Sequence, residues 1–74
     1  MRGRRQRTMV LEHLESGRTI TSLEALREYG IIQLPKRIFD LREAGYPVEK
    51  HWITVRKRHG EKARIAEYRL RLAS

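Results

Sequence analysis

Cationic side chains crowd the two ends of this 74-residue chain. Arg2, Arg4, Arg5 and Arg7 all precede the first acidic residue, Glu12. Near the other end Arg56, Lys57, Arg58 and Lys62 gather around His59 and Gly60. Between Thr8 and Trp52, six basic side chains face seven acidic ones, so the net charge of +8 comes from the flanks. Side chains of this kind suit a polyanion, because Lys and Arg that neutralise phosphates release condensed counterions. Two middle residues carry donors and acceptors that can read base edges. Gln33 can pair bidentately with adenine, and Lys36 can donate to guanine. Arg37 is a third candidate for a base. Asp40, three residues on, can instead hold it in an i,i+3 ion pair, which leaves Arg37 to buttress a helix or hold a phosphate.

Other chemistries find little support. The chain has no cysteine, so neither a disulfide framework nor a thiolate metal site is available. His13, His51 and His59 are far apart, without metal-ligand spacing. The acids Glu12, Glu15, Glu24, Glu28, Asp40 and Glu43 are spaced for helix surfaces and caps. Phosphate loops and nucleophile elbows are missing from the sequence. No enzyme activity, cofactor or metal is expected. There is no run of about 18 apolar residues to span a membrane, and no apolar stretch follows the basic N-terminus as a signal peptide requires. A cytoplasmic protein, nucleoid-associated when bound, is expected.

The elements that must position these residues form one small domain, whose core stabilises it by only about 3–5 kcal/mol. Residues 1–5 read as a flexible basic arm and residues 6–72 as the domain. A first helix is expected from Gln6 to Glu15, carried by Met9, Val10, Leu11 and Leu14 and stopped at Gly17. Thr21-Ser22-Leu23-Glu24 is a capping box. It opens a second helix that places Leu23, Leu26 and Ala25 on the core and ends at Tyr29-Gly30, with Ile20 stapled onto its first turn. A third helix runs from Leu34 to Ala44, with Leu34, Ile38 and Leu41 inward and Gln33, Lys36, Asp40 and Glu43 outward. Gly45 and Pro47 stop it. The period then changes to two. Val48 to Val55 and Ala63 to Leu72 form a hairpin with a basic tip. Tyr46, Trp52 and Tyr68 are expected to cover the helices, and Phe39 to pack beneath the hairpin or against the second helix; the alternative for Phe39 is an exposed ring meeting a thymine methyl or a partner. His13 reads as an exposed or half-buried side chain.

Three helices followed by a hairpin make an α+β winged helix-turn-helix. The run from Ile20 to Leu70 resembles a family of short helix-turn-helix proteins found mostly in bacteriophages and prophages. The resemblance rests on Ile20-Thr21-Ser22-Leu23-Glu24-Ala25, Tyr29-Gly30-Ile31, Arg37-Ile38, Asp40-Leu41-Arg42, Gly45-Tyr46, Trp52 and the turn Lys57-Arg58-His59-Gly60. Pro35 departs from the family's pattern, where a small or polar residue is expected, and could shorten or tilt the start of the third helix.

The resemblance implies a DNA-binding winged helix, in a phage or prophage regulator of transcription or an excisionase-type architectural factor. The residues themselves give the docking. Helix 3 lies in the major groove with Gln33, Lys36 and Arg37 as candidate base contacts. Arg2, Arg4, Arg5, Arg56, Lys57, Arg58, His59 and Lys62 meet phosphates or the minor groove. The partner is double-stranded DNA, with a possible protein partner in a regulatory or recombination complex. The protein is expected to be a monomer alone that can pair on DNA. Two competing readings remain: a protein-interaction module using Phe39, Ile32 and the helix 3 surface, and non-specific RNA binding.

Overall fold

The computed structural model describes residues 2–71, with side chains from Arg5 onward. Its order is α1 (Arg2–Glu15), β1 (Ile20–Thr21), α2 (Ser22–Tyr29), α3 (Leu34–Glu43), β2 (Val48–Arg56) and β3 (Lys62–Leu70). The strands form one antiparallel sheet in the order β1-β3-β2.

Each helix is held by the residues its sequence offers. In α1, Val10 and Leu14 recur at i,i+4 and are fully buried. The helix begins at Arg2, four residues before the expected Gln6, so the basic segment continues into α1. The side chains of Arg2 and Arg4 lie outside the described residues.

The capping box of α2 is formed as its sequence requires. The Glu24 amide donates to the Thr21 hydroxyl at 3.2 Å, and the Thr21 amide donates to the Glu24 carboxylate at 3.1 Å. A cap of this type contributes about 1 kcal/mol. Gly30 closes the helix at φ +68°, with its amide donating to the Leu26 carbonyl and the Ile31 amide to that of Ala25. That left-handed position is what makes glycine the natural residue there. Pro35 sits in the first turn of α3, where its missing N–H costs nothing. The helix begins at Leu34 as expected, so Pro35 does not shorten it.

The core is Val10, Leu14, Ile20, Ala25, Ile31, Leu34, Ile38, Leu41, Val48 and Tyr68, with Leu11, Tyr29, Ala66 and Leu70 packed on it. Several expectations are corrected by it. Ile20, expected only as a staple on α2, is also a fully buried residue of β1, paired with Tyr68 and in one core cluster with Ala25. The two-stranded hairpin is thereby a three-stranded sheet. Ala25 and Tyr29 turn α2 inward, while Leu23 and Leu26 remain more than half exposed. His13 is buried, not exposed. Its Nε2 donates to the Thr19 carbonyl at 2.8 Å, because a carbonyl can only accept. The Tyr29 hydroxyl lies 2.7 Å from Nδ1 and donates to it when the ring is neutral. His13 therefore ties α1 to α2 and to the strand leading into β1.

Candidate nucleic-acid interface

The buried stripe of α3 fixes what its outer face shows. Leu34, Ile38 and Leu41 point inward, so at 100° per residue Lys36, Phe39 and Glu43 point away from the core. All three are exposed. Gln33 occupies the N-cap position without a side-chain cap bond, and its amide is exposed. Lys36 and Gln33 are thus brought together at one end of an open helix face. Phe39 is 58% exposed and does not pack under the hairpin, because the core stripe lies on the other side of the helix. Arg37 differs from its neighbours. It is buried at the edge of the stripe, with Nε 3.6 Å from Asp40 Oδ2 and without a hydrogen-bond partner. This placement fits the ion-paired, helix-buttressing alternative for Arg37 better than a base contact.

The hairpin separates charge by alternation. Successive side chains in a strand point to opposite faces. The register pairs Val48 with Leu70, Lys50 with Tyr68, Trp52 with Ala66, Thr54 with Arg64 and Arg56 with Lys62. These ten residues share one face. Its inner end is core, and its outer part carries Lys50, Arg56, Lys62 and Arg64 with no acid. The tip is a five-residue loop, 57–61, closed by the Gly60 amide donating to the Lys57 carbonyl at 3.0 Å and the Lys57 amide to that of Glu61 at 2.6 Å. Gly60 takes φ +83°, which a side chain would strain. Arg56, Lys57, Arg58, His59 and Lys62 are all exposed here, so the fold gathers these predicted residues at one tip.

Trp52 does not cover the helices. It is 54% exposed, with the Lys50 ammonium 4.6 Å and the Arg64 guanidinium 5.5 Å from its ring centroid. Tyr46 is exposed as well, and of the three aromatics assigned to the core only Tyr68 is buried. Lys50 and Arg64 join the candidate surface here, although the sequence reading did not single them out. The signal was there: counting by twos from Val48 and closing the hairpin at Gly60 puts both on the face of Trp52.

The opposite ribbon face holds the acids. Glu49 accepts from Arg69 Nε at 3.1 Å and lies 3.2 Å from His51 Nε2, with Arg71 Nε at 3.8 Å. Hydrogen bonding from His51, then from Arg69, holds the Glu49 carboxyl below the usual glutamate range. At the end of α3, Arg42 Nε donates to the Val48 carbonyl at 3.1 Å and fixes where β2 begins. Arg5 is exposed on α1. Among the described residues, no group of three or more His, Asp or Glu side chains is placed to hold a metal, and no helix is long and apolar enough to cross a membrane.

Residues 5–72 match the sequence profile of a family described as a winged helix-turn-helix domain. No curated protein and no solved structure matches the chain. The match spans nearly the whole chain and agrees with the observed order of three helices followed by a small antiparallel sheet. The chain belongs to the winged helix-turn-helix family, a module that in general binds DNA and is typically not an enzyme.

Proposed function

Starting from that membership, we propose that this domain binds double-stranded DNA in a sequence-specific way. The N-terminal turn of α3 enters the major groove. Lys36 donates to guanine and Gln33 pairs with adenine. Phe39, exposed one turn along the same helix, is available to a thymine methyl. The hairpin tip, through Arg56, Lys57, Arg58, His59 and Lys62, lies on phosphates or in a neighbouring minor groove. Arg2, Arg4 and Arg5 add backbone contacts from the N-terminal end of the domain. Arg37 supports α3 from within. No cofactor enters this reading. The biological setting is a phage or prophage regulator of transcription, or an excisionase-type architectural factor. The protein is a monomer in solution that can pair on its site.

One observation carries the proposal. The outer ribbon face has Lys50, Arg56, Lys62 and Arg64 and no acid, while the acids gather on the other face. A merely solubilising surface mixes both signs. Salt titration of duplex affinity tests it. If about five phosphates are neutralised, the log–log slope lies near −4.5. A slope near zero would remove the phosphate contacts and the proposal with them. A second reading has its own support: Ile32, in the turn before α3, is 80% exposed and Phe39 on α3 is 58% exposed, as a partner-docking surface requires. In that case Phe39→Ala leaves duplex binding intact and abolishes capture of the partner.

A further inference from the structure

We propose that the groove between the start of α2 and the outer half of the hairpin docks an extended acidic segment of a partner protein, which adds as a strand beside β3. Three features of the fold converge there. The first is an open strand edge. β1 spans only Ile20–Thr21 and pairs with Tyr68 and Glu67, while β3 extends back to Lys62. Residues 62–66 have β2 on one side and, among the described residues, no strand on the other. A row of unpaired backbone groups is a template for an added strand.

The second feature is a groove alongside that edge. It encloses about 560 Å³ and is lined by Leu23, by Trp52 and Ala66 from the cationic ribbon face, and by Val55 and Ile65, which alternate to the other face. Leu23 and Trp52 are each more than half exposed. The alternation of an added strand would place every second side chain on the side of Leu23, Trp52 and Ala66.

The third feature is charge, which selects the occupant. Arg64 is the charged residue in the groove wall, and the adjoining ribbon face adds Lys50, Arg56 and Lys62. Nearby acids are turned elsewhere. Glu24 is tied to Thr21 in the capping box, and Glu67 and Glu49 sit on the other ribbon face. A segment with apolar side chains toward the groove and Asp or Glu toward the rim satisfies both surfaces. A second copy of this chain, itself at +8, is opposed by the same charge. A duplex meets the rim but keeps its bases stacked, so it leaves the apolar wall wet. The groove runs along the middle of the ribbon toward Val55 and Arg64, and the loop 57–61 projects beyond it. Arg56 and Lys62 border both the groove and the tip, so a partner segment and a duplex share those two cations while Lys57 and Arg58 stay with the duplex.

The experiment uses the whole protein and a displayed library of random twelve-residue peptides. The enriched peptides are expected to share an apolar centre flanked by Asp or Glu. On the ¹⁵N-labelled protein, the synthesised consensus peptide should shift the amides of Arg64, Ile65 and Ala66 and slow their exchange with solvent. Leu23→Ser should weaken the peptide at least tenfold and leave duplex affinity unchanged. Methylating the peptide's central backbone nitrogen should cost a similar factor, because strand addition needs that N–H. Lack of any enrichment, a consensus without acids, or shifts confined to Ile32 and Phe39 would overturn the proposal. So would single-stranded oligothymidylate occupying the same amides when no peptide does. Peptide docking with a flat duplex salt slope would sink the DNA reading alone.

Discussion

The three-helix body and the hairpin ribbon are built on opposite terms. In the body, Val10, Leu14, Ile31, Leu34, Ile38 and Leu41 are sealed from water, and a buried His13 joins the helices. In the ribbon, Val48 and Tyr68 join the core at the root, while Trp52 and four cations stand open further out. Stability therefore resides in the body, and the outer ribbon is free to be chosen for what it contacts. That division explains why a large aromatic can remain exposed in so small a domain. The core is complete without it.

The sharpest way to break this comparison is to cut into each part. Leu41→Ala removes a fully buried side chain and should cost about 2–5 kcal/mol, enough to unfold much of the population. Trp52→Ala should cost no more than about 1 kcal/mol, from two exposed cation–π contacts. Urea unfolding followed by circular dichroism measures both. Equal losses would mean that the ribbon is part of the core.

Next in size is the tip. Changing Arg56, Lys57 and Arg58 together to Ala should lower duplex affinity at least tenfold and make the salt slope shallower by about 2.7, if each holds one phosphate. The melting temperature should hardly move, since all three are exposed. Lys36→Ala should act differently. About 1–3 kcal/mol of discrimination between cognate and mismatched duplexes should be lost, with much less change in non-specific binding. Competition among duplexes of varied sequence separates the two effects.

The smallest effect is at Glu49. Its carboxyl is held below the usual range, so the folded state releases that proton more readily than the unfolded chain. The resulting stabilisation is in place above the ordinary glutamate value of about 4.3 and is lost as pH falls through the lowered one. The melting-temperature difference between the wild type and Glu49→Gln should shrink to nothing between neutral and strongly acid pH. A difference that persists in acid would assign the effect to packing.

The sequence made the architecture legible where local rules are strong. Thr21 with Glu24 marked a helix start, Gly30 its end, and Leu34, Ile38 and Leu41 the inner face of α3. Gly60 and the alternating runs around it marked the hairpin. What stayed hidden depends on distant partners. Whether Leu23 or Ala25 faces inward depends on what α1 and α3 leave uncovered, and the smaller residue won. His13 reads as polar and outward until Thr19 and Tyr29 arrive to satisfy both nitrogens. Trp52 stays more than half exposed beside Lys50 and Arg64, an arrangement set by the hairpin register and not by its own local pattern. Of the candidate site, the tip and the pair Gln33 and Lys36 were readable from charge and period. The buried place of Arg37 was not, because a guanidinium at the edge of an apolar stripe can turn either way.

The most direct measurement is the amide shift map of the labelled protein titrated with duplex DNA. Perturbations should appear together at Gln33 and Lys36 and across residues 56–62, leaving the buried turn around His13 unmoved. Shifts limited to only one of those two regions, or centred on Arg18, Arg69 and Arg71 at the far end of the sheet, would contradict a single duplex held by helix and hairpin at once.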